Sequence, residues 1–228
     1  MRTSAVVVAA FVVACGSSST TTDPPPGPAP PLGQTESGVA TYYAATGAGN
    51  CGFDPSPNDL DVAAMNAQEY AGSAACGSCV KVKGPKGEVT VRIVDQCPEC
   101  LKGHLDLSKE AFAQIADVSA GKVPIEWTVV ACNVSGPVQY HFKDGSSQYW
   151  TAIQIRNHRV PITKLEVKKS GGAYADVPRE TYNYFVVSGG VGPGAFSVRI
   201  TGQGGATLED SFTGVTADTT VPGAKQFP

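Results

Sequence analysis

The sequence predicts an all-β protein of two small domains behind an exported leader. Charged residues make up only 16% of the 228-residue chain, Gly (26) and Pro (17) are abundant, and Val, Ile, Thr and Tyr fill the segments between them. That composition suits short strands joined by tight turns. Six cysteines fall between Cys51 and Cys132 and none follows. The change in cysteine usage marks a boundary, and typical domain sizes favour two units over one for the chain that remains after the leader.

The leader holds Arg2, an apolar run from Ala5 to Ala14, and Val12-Val-Ala-Cys15, the small-residue-then-Cys ending of a bacterial lipoprotein signal. The run is too short to span a bilayer. Cleavage before Cys15 makes its thiol the lipidation point, so residues 1–15 are assigned to the signal and the mature chain is expected to be exported and lipid-anchored at the cell envelope. A non-lipidated signal, with release outside the cell, is the alternative. Residues 16–36 are Ser, Thr, Pro and Gly with almost no large apolar side chain, which reads as a disordered tether. The first domain is assigned to residues 37–133 and the second to residues 134–228. Their connector, Asn133-Val-Ser-Gly-Pro137, is short enough to hold them in contact.

Formal charge is −3, with eight basic and thirteen acidic groups in residues 1–134 against nine and seven in residues 135–228. Neither half is a nucleic-acid binder on charge. The small positive excess of the second half suits an acidic wall polymer.

In the first domain Val39 to Tyr43 reads as a strand, and Ala44 to Asp59 as a long loop pinned by Cys51. Cys79–Lys83 and Glu88–Val94 are strands joined by the turn Gly84-Pro-Lys-Gly87. Ser108 caps a short helix to about Asp117, with Phe112, Ile115 and Ala116 on one face, and Ile125 to Ala131 closes the domain. Cys76-x2-Cys79 followed by Cys97-x2-Cys100 has zinc-ribbon spacing. Export and the even count reached with Cys51 and Cys132 favour three disulfides instead. No metal and no cofactor are assigned.

The first domain's most informative stretch is Leu105-Asp106-Leu107. A period of two sends both leucines into the core and leaves Asp106 on the opposite, open face, where an acid points to polar chemistry in a groove. On local pattern alone Asp106 equally suits stabilisation of the helix that starts after Ser108.

After Pro137 the pattern is strands and turns: Val138–Phe142, Tyr149–Arg156, Ile162–Lys168, Tyr182–Val187, Ala195–Thr201 and Thr207–Thr213. Such spacing without a helical segment predicts a β-sandwich. Alternation in Tyr149–Arg156 groups Trp150 with Ala152, Gln154 and Arg156 and makes Trp150 exposed, a flat apolar surface for a pyranose ring. The competing reading is that Trp150 covers a sandwich edge. Tyr149 shares the outer face only if it lies in a bulge or a loop.

The chain resembles the bacterial expansins. The likeness rests on Gly38-Val-Ala-Thr-Tyr-Tyr43, Gly84-Pro-Lys-Gly87, Val94-Asp95, Leu105-Asp-Leu-Ser108, Gly145-Ser-Ser-Gln-Tyr-Trp150, Ile153-Gln-Ile-Arg-Asn-His158, Tyr182-Asn-Tyr-Phe185 and Val221-Pro-Gly-Ala-Lys-Gln-Phe-Pro228, in that order over residues 36–228. It implies a six-stranded double-psi β-barrel, similar to family 45 glycoside hydrolases, followed by an immunoglobulin-like carbohydrate-binding β-sandwich. It further implies that Asp106 is required for wall loosening, that Thr41 and Asp95 flank it in the groove with Tyr43 as a sugar contact, and that Tyr149, Trp150 and Tyr182 grip cellulose beside Lys143. Two departures stand out: Tyr149-Trp150 replaces a frequent Trp pair, and Cys97 occupies an aromatic groove position. The likeness of this Cys-rich barrel to plant expansins implies the pairs Cys51–Cys76, Cys79–Cys132 and Cys97–Cys100.

Hydrolysis of a glycoside needs an acid and a second carboxylate about 5 to 9.5 Å away. Asp106 supplies the first; Asp95 does not serve as the base in the resembling family, and Asp54, Asp59 and Asp61 lie on a loop. The expected function is therefore non-hydrolytic binding and loosening of plant-wall glucan such as cellulose or xyloglucan, by a monomer that meets the membrane only through its lipid. The alternatives are a weak endoglucanase, a peptidoglycan-cleaving enzyme, or a purely wall-binding module. His104, His141 and His158 are isolated and read as structural.

Overall fold

Short strands rich in branched residues leave costly unpaired edges unless the sheet closes on itself. In the computed structural model, which describes residues 28–228, six strands do so. The apolar leader, Cys15 and most of the tether lie outside the described residues. The strands are β1 (Thr35–Tyr43), β2 (Val62–Asn66), β3 (Cys79–Lys83), β4 (Glu88–Cys97), β5 (Leu105–Ser108) and β6 (Val123–Val130), and they form a closed barrel in the order β1-β5-β2-β4-β3-β6. Alternate residues of β3, β4 and β6, among them Val80, Val82, Val89, Val91, Ile125 and Trp127, fill its interior.

The barrel starts earlier than the sequence suggested. β1 begins at Thr35, inside the segment assigned to the tether, and Leu32 just before it packs against the cores of both domains. β2 was not foreseen because Val62-Ala-Ala-Met-Asn66 shows no alternation; all five residues are buried since β4 and β5 flank the strand. A one-turn helix α1 (Ala67–Tyr70) follows it. Helix α2 (Lys109–Ile115) is capped by Ser108, whose Oγ accepts the Ala111 N–H at 3.0 Å, and buries Phe112 and Ile115. It stops at Ile115 because Ala116 turns extended, short of the expected Asp117.

All six barrel cysteines are paired, Cys51 with Cys76, Cys79 with Cys132 and Cys97 with Cys100, as the resemblance implied. None is left as a zinc thiolate. Closing loops of 25 and 53 residues restricts the unfolded chain by ~3.5 to 4 kcal/mol for each of these two bridges. Among the described residues no cluster of three or more His, Cys, Asp or Glu side chains is arranged to hold a metal, and no helix is long and apolar enough to cross a membrane.

The second unit is a sandwich of strands β7 (Gln139–Phe142), β8 (Thr151–Arg156), β9 (Ile162–Lys168), β10 (Tyr174–Asp176), β11 (Phe185–Val187), β12 (Phe196–Gly202), β13 (Thr207–Phe212) and β14 (Thr219–Pro222). One sheet has the order β10-β9-β12-β13, the other β11-β8-β7-β14. Tyr140, Phe142, Ile153, Ile155, Leu165, Val198 and Ile200 form the layer between them. β10 and β14 escaped the sequence because each is a short edge strand with mixed exposure.

A polar junction joins the two units. Gln154 and Asn183 donate to the Cys51 carbonyl at 2.8 and 3.2 Å, and Ser73 donates to the Glu180 carbonyl at 2.7 Å. Arg179 gives its guanidinium to the carbonyls of Ser73 and Ile162 and lies 4.5 Å from the Phe185 ring. His158 is buried there and donates its Nδ1–H to the Val160 carbonyl at 2.8 Å; burial pushes its pKa down to about 4, so it is neutral at neutral pH. The junction corrects the expected exposure of the Trp150 face: Gln154, on the same side of β8, is fully buried against the barrel.

Candidate functional site

The barrel aligns one row of side chains across four strands. Parallel pairing of β1 with β5 sets Thr41 opposite Asp106, antiparallel pairing of β5 with β2 sets Asp106 opposite Ala64, and pairing of β2 with β4 sets Ala64 opposite Asp95. A register shift between Ala63 and Ala64 makes the last step possible. It skips Val94, burying both Ile93 and Val94, and brings Asp95 into the row. Two strand spacings separate Asp106 from Asp95, about 10 Å between Cα atoms. Ala64, with its single methyl, forms the floor between them.

Leu105 and Leu107 are fully buried, and Asp106 between them is half-buried on the open side. It does not serve the helix, whose cap is Ser108. The Thr41 hydroxyl donates to Asp106 Oδ1 at 2.5 Å and lies 2.9 Å from His104 Nε2. A hydroxyl has one proton, so with Asp106 accepting it, Thr41 Oγ1 must accept from His104, which assigns the imidazole proton to Nε2. The chain His104 to Thr41 to Asp106 therefore points every donor at the carboxylate. His104 was read as isolated; a signal was available in its position two residues before Asp106, the same strand face by alternation.

Burial lowers the His104 pKa below the ordinary histidine value, and the Asp106 charge opposes that shift. The neutral ring is thus favoured by folding, and its stabilising contribution is present above the unfolded value of about 6.5 and lost as pH falls through the lowered midpoint. In an NMR titration Asp106→Asn should lower the His104 midpoint further, because the charge that raises it is gone. An unchanged midpoint would contradict the contact.

Asp95 is held differently. Its Oδ1 accepts the backbone N–H groups of Asn50 at 2.7 Å and Gln96 at 2.8 Å. Gly49 permits that approach, since a Cβ there would lie 2.5 Å from the Asp95 side chain. Tyr43 lies beside both acids. Burial raises its phenol pKa well above the ordinary value, with Asp95 and then Asp106 adding to the shift, and its buried hydroxyl has no hydrogen-bond partner. Asp54 pairs with Arg156, and Asp61 accepts from Gln114, so neither joins this row. Asp59 lies with Asp61 and Glu110 beside the start of α2. Cys97 is buried in its disulfide and offers no flat surface to a sugar.

On the sandwich, β8 begins at Thr151, so Tyr149 and Trp150 lie in the preceding turn, which Ser147 and Trp150 close as a bridge. Tyr149 is 75% exposed, whereas Trp150 is only half-buried rather than open. Gly190 passes so close beneath that a Cβ would sit 2.1 Å from the Gln148 carbonyl oxygen, which fixes the height of the turn. Tyr182 is also exposed; it lies in a turn before β11, which is shorter than the strand expected from Tyr182. Its ring centroid is 5.9 Å from that of Tyr184, and Lys143 Nζ lies 5.8 Å from the Tyr184 ring. Tyr184 was not picked from the sequence because its neighbour Tyr182 carried the resemblance; it is buried and supports the exposed ring and the lysine.

A family model described as lytic transglycolase matches residues 35–127, the barrel. Expansin-YoaJ of Bacillus subtilis (strain 168) is 40% identical over 204 residues, covering 84% of this chain and 86% of its own length. The chain belongs to the expansins. Expansin-like protein 5 of Dictyostelium discoideum is 33% identical over 200 residues, covering 82% of this expansin and 83% of its own length. The crystal structure of apo Clavibacter michiganensis expansin superposes with a TM-score of 0.78 at 33% identity, over 86% of this expansin and 99% of that chain. An aspartate-to-asparagine variant of the Clavibacter protein, solved in complex with cellohexaose, superposes with a TM-score of 0.77 at 32% identity. This expansin is accordingly a double-psi β-barrel followed by a β-sandwich.

Proposed function

We propose that this expansin binds β-linked glucan of plant walls on the sandwich face carrying Tyr149, Trp150, Tyr182 and Lys143, and uses Asp106 in the barrel groove to compete with hydrogen bonds between glucan chains, cutting no bond. The observation that carries the reading is the isolation of Asp106. Its neighbours are a hydroxyl and an imidazole, and the acid two strands away has one oxygen already held by two backbone amides. Their Cα atoms stand about 10 Å apart, and the Asp95 carboxylate is tied to the backbone of Asn50 and Gln96 rather than left free to activate a water, the role a hydrolytic partner must fill. An ionised carboxylate accepts charge-assisted bonds from sugar hydroxyls. The cellohexaose complex of the Clavibacter relative supports a glucan as ligand.

The lipoprotein-type signal and Cys15 support export and anchoring at the envelope, with xyloglucan and peptidoglycan as further polymers within reach. One observation favours a second reading: the lytic transglycolase description over the barrel. In that chemistry the sugar's own hydroxyl replaces water as nucleophile, so a single acid suffices. Release of anhydro-muropeptides from peptidoglycan would establish it.

The binding half is tested by pull-down on microcrystalline cellulose. Joint replacement Tyr149→Ala and Trp150→Ala should weaken binding by ~10-fold or more, the loss typical when central aromatic anchors are removed. Asp106→Asn should bind as the parent does. Undiminished binding by the aromatic variant would remove the sandwich face from the account.

A further inference from the structure

Barrel and sandwich meet around a cavity of about 290 Å³ whose walls include Phe53, Asp54, Arg92, Arg156, Asn157 and His158. Thr41, Asp106, Tyr149, Trp150 and Tyr182 are not among its lining residues, so it is separate from the surfaces described above. Two guanidinium groups reach it, one from each domain. Arg156 is committed: Nη1 bonds Asp54 Oδ2 at 2.7 Å and Nε bonds Gln154 Oε1 at 2.5 Å. That ion pair also neutralises the one carboxylate in the wall.

Arg92, on β4, is not committed. Its Nε is buried with no hydrogen-bond partner, and among the described residues no carboxylate lies within salt-bridge distance of it. The guanidinium rests 5.5 Å from the Phe53 ring centroid, which holds its plane in place. A buried donor left unpaired costs ~1–3 kcal/mol, and folded proteins leave few of them. His158 is neutral and adds no second positive charge, while the Asn157 amide is spent on the carbonyls of Ser135 and Pro137. The cavity therefore holds one uncompensated positive charge on a planar fork, and a carboxylate is the group that matches that fork bidentately.

We propose that this cavity binds the carboxylate of a uronic acid residue in an acidic wall polysaccharide, with Arg92 as its partner. The volume admits about one sugar ring rather than a polymer run. β8 runs from beside Trp150 to Arg156, about 20 Å, so the aromatic face and the cavity lie at the two ends of one strand. The saccharide source rests on the wall-polymer reading; the recognition of a carboxylate does not.

The test is calorimetric titration of the full chain with trigalacturonate, its methyl ester and cellohexaose. Trigalacturonate should bind, and the ester should bind ~10-fold more weakly or not at all. Arg92→Gln should lose a similar factor for trigalacturonate with cellohexaose binding and the thermal midpoint unchanged, and Arg92→Lys should fall between, keeping charge without the fork. Independently of any variant, the Arg92 Nε–H resonance of the parent should shift when trigalacturonate is added. Equal binding of ester and acid, parent-like binding by Arg92→Gln, or a stationary Nε resonance would overturn the proposal. Binding of N-acetyl-D-alanyl-D-alanine in place of trigalacturonate would overturn the saccharide assignment in favour of a peptide carboxylate. Loss of cellohexaose binding alone would count against the glucan reading and leave this site standing.

Discussion

Asp106→Asn should abolish the loosening of plant wall strips while leaving the fold and the binding of cellulose intact. The substitution is close to isosteric, and an amide oxygen still accepts the Thr41 hydroxyl that now sits 2.5 Å from Oδ1. Leu105 and Leu107 keep their buried places on either side. What disappears is the negative charge on the open face. Hydrogen bonds to a charged group contribute about 1.5–3 kcal/mol against about 1 for neutral ones, so the competition with glucan contacts should weaken by ~2- to 30-fold for each bond that loses its charge, and the losses multiply over several bonds. Creep of heat-inactivated wall strips under constant load measures this. Creep at the parental rate would remove Asp106 from the account.

Gly38→Ala should cost the barrel more than any surface change and should disable the groove as well. A Cβ at Gly38 would lie 1.9 Å from the Gly103 carbonyl oxygen and 2.4 Å from its carbon, both backbone atoms. Gly103 cannot retreat. Its N–H is bonded to Glu69 Oε2 at 2.9 Å, and its carbonyl accepts the indole N–H of the buried Trp127 at 2.9 Å. Relief by moving that segment breaks one or both bonds and carries His104 and Asp106 with it, since they follow directly in the chain. Overpacking of this kind costs ~3 kcal/mol or occasionally more, and a loss of that size lowers the thermal midpoint by ~10 °C in a protein of this length. Scanning calorimetry decides it: a parental midpoint would mean that β1 and the loop before β5 are not in contact as described.

The alternation of Leu105-Asp106-Leu107 was legible because a period of two is written in three residues. The partners of Asp106 were less so. Thr41 lies 65 positions away and meets it through parallel pairing, and the resemblance, not the pattern, pointed to it. The register shift that brings Asp95 into the row depends on how β2 pairs, and β2 itself has too little branching to announce a strand. Trp150 shows the opposite failure. Alternation grouped it correctly with Gln154, but a polar face was taken for a wet one, when its amide was reserved for a carbonyl of the other domain. Interdomain hydrogen bonds leave no local trace in a sequence, so Arg179 was silent, and Arg92 was silent because the cavity it lines exists only where the two domains meet.

The central claim is that a solitary acid loosens glucan without cleaving it. The most direct measurement loads wall strips in creep with this expansin and analyses the bathing solution, by mass spectrometry, for any new oligosaccharide or reducing end. The account requires extension that depends on Asp106 with no soluble product above the strip-alone control. Oligosaccharides that appear with the parent and vanish with Asp106→Asn would contradict it and make the groove an active site for bond cleavage.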